Sequence, residues 1–84
     1  MKYKVGDTVK IKNNLNGSRN YVHEMKKWEG KVMTIIEISG DDYIMKEDQG
    51  QGTKRYDGRR YWYWNDTMIS GICNPKSIAY SVLV

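Results

Sequence analysis

Tyr61, Trp62, Tyr63 and Trp64 place four aromatic side chains in succession, and no other stretch constrains the fold as strongly. In an extended segment side chains alternate with a period of two, so two rings fall on each side of a sheet. Trp62 and Trp64 then share one face, and Tyr61 and Tyr63 share the other. Trp64 stands where the chain must fold back, so it is expected to anchor the core. The tryptophans then face inward and the tyrosines outward or beneath a loop. Asn65, Asp66 and Thr67 stop the strand. Asn65 or Asp66 can accept hydrogen bonds from backbone N–H groups two or three residues on, which predicts one helical turn near 65–69.

The 84-residue chain is expected to form one domain, 1–84, with 70–84 as a strand-like extension. A chain of this size buries roughly 60 % of its unfolded surface, so its core is thin. Cys73 is the only cysteine, which excludes an internal disulfide and fits a reducing compartment. It reads as a small buried hydrophobe. Residues 1–7 contain no apolar signal region, and no stretch has the length of a membrane span. The expectation is a cytoplasmic protein with no membrane partner. A net charge of +4 permits an acidic partner or nucleic acid without requiring either.

In chain order, Val9 and Ile11 alternate with Thr8, Lys10 and Lys12, which predicts a half-buried strand with a basic outer face. Residues 13–20 are rich in Asn, Gly and Ser and read as a loop. A short helical segment is expected near 21–28, with Val22, Met25 and Trp28 plugging one end of a barrel. Residues 31–39 are rich in β-branched side chains and apolar on both faces, which predicts a strongly bent central strand. Gly40, Asp41 and Asp42 form a hairpin turn, and 43–48 is the returning strand. Residues 49–58 hold three glycines and no aliphatic side chain, and read as a long, mobile hairpin loop. This loop lacks the Gly-Lys-Ser/Thr ending of a phosphate cradle. Ser70-Gly71 loosens the chain and Asn74-Pro75 breaks it again. The apolar segment 78–84 is expected to pair along a sheet edge or with a second copy, so a homodimer through this tail is admitted.

Several short strands, one broad loop after the first and a helical turn before the last describe a mainly β protein, a small SH3-like barrel of about five strands. The rival five-stranded barrel, the OB-fold, wants a helix between its third and fourth strands, where 49–58 is too rich in glycine. The Val5-Gly6-Asp7 turn, Met25 to Lys31 leading into Thr34-Ile35, Tyr43 through Asp48, and Trp64 followed by Asp66 and Met68 together resemble a group of small SH3-like barrel proteins of bacteria and their phages. The resemblance covers roughly residues 3–70. It departs in three places: after Trp64, where Asn65-Asp66-Thr67-Met68 replaces the family's Thr-Asp-Glu-Met, in the longer 49–58 loop, and in the additional tail after Ile69. It implies a barrel with a binding role and assigns no ligand. If the barrel derives from a phage, it implies an accessory or counter-defence protein acting on a host protein.

No nucleophile–base or acid–base set can be assembled from one histidine and one cysteine, so the expected function is non-enzymatic. His23-Glu24 lacks a second histidine, so His23 reads as a surface residue, and no metal or cofactor is expected. Binding is expected at Lys54, Arg55, Tyr56, Arg59, Arg60, Tyr61 and Tyr63, where cations alternate with rings. Tyr, Trp and Arg carry interface energy, and this favours a protein or peptide partner. The alternatives are nucleic acid, with cations on phosphates and rings on bases, or a small molecule or nucleotide under the mobile loop.

Overall fold

The computed structural model describes residues 2–73. The pairing expected for 78–84, and the homodimer built on it, lie outside the described residues. Alternation in the first apolar segment gives β1, Thr8–Ile11, with Val9 and Ile11 fully buried. β2, Val32–Ser39, runs antiparallel to β1 with Val9 opposite Met33. A tight turn leads to β3, Asp42–Met45, and the β2–β3 register shifts between Ile35 and Glu37. Such an irregularity leaves an unpaired residue in one strand of the pair.

β3 is shorter than the expected 43–48 strand, and a side chain ends it. The Glu47 carboxylate accepts hydrogen bonds from the Thr34 N–H at 2.7 Å and the Thr34 hydroxyl at 3.0 Å, taking the position a backbone carbonyl would hold in the ladder. The hairpin strands β4, Thr53–Lys54, and β5, Arg60–Tyr61, form a separate two-stranded sheet. After a 3-10 turn at Asp66–Met68, β6, Ile69–Ile72, returns to β1. The larger sheet has the order β3-β2-β1-β6. The described residues thus form a mainly β fold with six strands in two sheets and no single closed barrel.

Ser70 and Gly71 do not loosen the chain. Gly71 lies opposite Lys10, and the Ser70 hydroxyl donates to the Lys10 carbonyl at 3.1 Å. Pairing to an interior strand overrides the low strand preference of these two residues.

The first helix is a 3-10 helix, His23–Trp28. Its period of three lines up Val22, Met25 and Trp28. Met25 is fully buried and Trp28 packs against the core, but Val22, the N-cap residue, stays exposed. The main core joins Val9, Ile11, Met25, Met33, Ile35, Tyr43, Met45, Trp64 and Met68. Trp64, the last residue of the aromatic run, is fully buried as expected, and its indole N–H donates to buried Asp48 at 2.7 Å. Leu15 joins the same core from within the 13–20 loop, its backbone N–H held by Glu29 at 2.9 Å. Cys73 is half-buried beyond β6.

The aromatic run breaks the expected alternation. β5 ends at Tyr61, Trp62 and Tyr63 are irregular, and Trp64 rejoins the sheet through a single bridge to Tyr43. Tyr61 is therefore buried, not outward-facing, and both tryptophans do not share one buried face: Trp64 is enclosed while Trp62 is half-buried.

Candidate functional site

The hairpin that carries six of the seven candidate residues is built by its turn. The Arg55 N–H donates to the Arg59 carbonyl at 2.7 Å and the Gly58 N–H to the Arg55 carbonyl at 3.0 Å, so Tyr56, Asp57 and Gly58 form a three-residue connection. Such a connection places a left-handed residue last, and Gly58 has φ +87°. The Asp57 carboxylate accepts from the Arg59 N–H at 3.0 Å and braces the turn. The Asp-Gly pair within 49–58 was the available signal for a formed hairpin. The scarcity of aliphatic side chains hid the short strand pair, because the contacts around it are ion pairs and cation–ring contacts.

Strand alternation sorts the candidate residues between two faces of this hairpin. Thr53 lies opposite Tyr61, and Lys54 opposite Arg60. On the face bearing Tyr61, two guanidinium groups lie near the ring, Arg55 at 5.4 Å and Arg59 at 5.2 Å from its centroid. Both arginines are already partnered. Arg55 pairs with Glu37 of β2 at 3.0 Å, and Arg59 pairs with Asp57 at 2.8 Å and Glu37 at 3.9 Å. Glu37 holds the Arg55 guanidinium above its ordinary pKa, and the Arg59 N–H and side chain hold the Asp57 carboxyl below its own. Two positive and two negative groups therefore cancel on this face. They fasten the hairpin to β2 and account for the burial of Tyr61. Tyr61 is buried and Arg55 and Arg59 are ion-paired, so these three do not form an open basic patch.

On the other face, Lys54 and Arg60 are exposed and have no ion-pair partner among the described residues. Arg60 is oriented by the Gly52 carbonyl at 3.2 Å. The Trp62 ring lies over Gly52: a Cβ built there would meet Trp62 Cδ2 at 2.7 Å and the Tyr61 carbonyl oxygen at 2.4 Å. Gln51 carries the contact onward, its side-chain oxygen 3.4 Å from the Trp28 indole nitrogen, and Lys27 Nζ lies 5.9 Å from the Trp28 ring centroid. Tyr56 projects from the hairpin tip and is 97 % exposed, and Tyr63 is half-buried. Sequence reasoning did not join Trp28, Gln51 and Trp62 to the candidate residues, because 11 positions separate Trp62 from Gln51 and 23 separate Gln51 from Trp28.

Elsewhere, Arg19, Asp41, Asn65, Asp66 and Thr67 line a shallow cleft. The Tyr43 hydroxyl donates to Asp66 beside it, and burial together with that carboxylate pushes its pKa up to about 12. A hydroxyl so hard to ionise is a poor base near neutral pH. Among the described residues no group of three or more His, Cys, Asp or Glu side chains could hold a metal ion, and His23 is exposed. No helix among them is long and apolar enough to cross a membrane. Compared with protein families, characterised proteins and solved structures, the chain matches none.

Proposed function

We propose that this chain is a non-enzymatic module, an SH3-like barrel variant, that binds a protein partner through the β4–β5 hairpin. The observation that carries the reading is the pinned hairpin with Tyr56 standing 97 % exposed at its tip. Ion pairs from Arg55 and Arg59 to Glu37 and Asp57 fix the stem, so the ring is presented on a braced support. A preorganised aromatic loses little freedom on docking, and tyrosine is among the residues that dominate interface energies. The SH3-like element of the proposal rests on the broad segment after β1, the register irregularity in β2, and the 3-10 turn before a last described strand that returns to β1.

Nucleic acid is disfavoured by the same geometry. Two of the four hairpin cations are neutralised internally, which leaves few charges for a phosphate backbone. The test is an RNase-treated capture from the native host, run with the parent and with Tyr56→Ala and read by mass spectrometry. A protein retained by the parent and depleted at least tenfold by Tyr56→Ala supports the reading. Retention of nucleic acid alone before nuclease treatment, or equal capture by both, overturns it.

A further inference from the structure

Lys27 with Trp28, Gln51, and Lys54 with Arg60 and Trp62 come from three parts of the chain and meet around the hairpin base: Lys27 lies 5.9 Å from the Trp28 ring, Gln51 reaches the Trp28 indole, and Trp62 and Arg60 both meet Gly52, the residue after Gln51. The strip has cations at both ends, two half-buried indoles between them, and no carboxylate among its six members. Its hairpin end breaks a local rule. Like charges directly opposite on paired strands destabilise the ladder, yet Lys54 faces Arg60. On the opposite face of the same hairpin, Arg55 and Arg59 are matched by Glu37 and Asp57. Both groups stand on one short hairpin, and of the two only the Lys54–Arg60 pair is without an acidic partner among the described residues.

We infer that this strip docks an extended acidic segment of a partner protein, with carboxylates at its two ends and an apolar centre. The inference rests on the protein-binding reading of the hairpin and names the chemistry of the partner. Carboxylates match Lys27 at one end and Lys54 with Arg60 at the other, while apolar side chains cover Trp28 and Trp62. A nucleic-acid strand carries a charge at every nucleotide, whereas the strip offers three cations, Lys27 at one end and Lys54 with Arg60 at the other. Gly52 is part of the design, because any side chain there would displace the Trp62 ring from the strip.

The test uses the full chain, isotope-labelled for NMR, titrated with a peptide of two glutamates, three leucines and two glutamates. Controls are the same peptide with glutamine for glutamate and a ten-nucleotide oligothymidine. The expected result is that the side-chain N–H signals of Trp28 and Trp62 and the amides of Gly52, Lys54 and Arg60 shift, while the Trp64 indole does not. The glutamine peptide should bind at least tenfold more weakly. Lys54→Glu with Arg60→Glu should weaken the acidic peptide at least tenfold, with the Trp64 signal and melting temperature unchanged. If charge reversal unfolds the hairpin, Lys27→Glu, outside the hairpin, should weaken the same peptide at least threefold. No shift at millimolar peptide, equal binding of the glutamine peptide, or tighter binding of the oligonucleotide overturns the inference. If Tyr56→Ala abolishes host-protein capture while both charge reversals leave it intact, the strip is wrong and the protein-binding reading stands.

Discussion

Asp48 is the residue whose environment is most at odds with its chemistry. It is fully buried, and its carboxylate accepts from the Trp64 indole N–H at 2.7 Å and from the Trp62 backbone N–H. Burial pushes its pKa up to about 6 from 3.8. Between those two values the folded state holds a proton that the unfolded chain has released. Stability from this group is therefore fully present below about pH 4 and is lost as the pH rises through about 6. Two pKa units correspond to about 3 kcal/mol. Asp48→Asn keeps an acceptor for Trp64 and removes the charge. Urea unfolding of parent and variant from pH 4 to pH 7.5 should show the difference growing in the variant's favour, by about 1–3 kcal/mol at the upper end. A difference independent of pH would mean that Asp48 is solvated.

At the scale of elements, the hairpin and the 13–20 loop show how far the sequence could be read. Strand alternation located β1, the asparagine signal located the 3-10 turn, and β-branched content located β2. Asn65 proves to be the capping residue, its side chain accepting from the Thr67 N–H at 3.0 Å. The two faces of the hairpin were not legible, because they depend on Glu37, 18 positions before Arg55. Composition also hid Leu15, one apolar residue among polar neighbours. Leu15→Ala should cost about 2–5 kcal/mol in chemical denaturation, as for a core leucine; a loss below about 1 kcal/mol would place it at the surface. The hairpin supplies a paired comparison. Gly58 and Gly52 both have positive φ, +87° and +90°, but a Cβ at Gly58 meets nothing within 4 Å whereas one at Gly52 meets the Tyr61 carbonyl at 2.4 Å. Gly58→Ala should cost about 1–2 kcal/mol, the left-handed backbone alone. Gly52→Ala adds a steric displacement and should cost about 1–3 kcal/mol more. Equal melting temperatures for the two variants would refute the close approach of Trp62.

For the molecule as a whole, the order β3-β2-β1-β6 sets β1 between a partner nearby in sequence and one some 60 residues away. The Cys73 N–H still reaches the Thr8 carbonyl at 2.6 Å, beyond the last paired residues of β6. On a ribosome, β1 and β2 are released early, and one side of β1 waits with its hydrogen-bonding groups unsatisfied until β6 emerges. At about 5–20 residues per second, translating the intervening stretch takes seconds, long enough for a neighbouring nascent chain to compete for that side. The β1–β6 union is also the contact with the largest loop to close, so it should be the last to form. Ile69→Val in β6 should therefore accelerate unfolding and leave the refolding rate nearly unchanged, measurable by stopped-flow tryptophan fluorescence. The strand that completes the main sheet would then act as its latch, setting how long the folded state survives and contributing little to how fast it is reached.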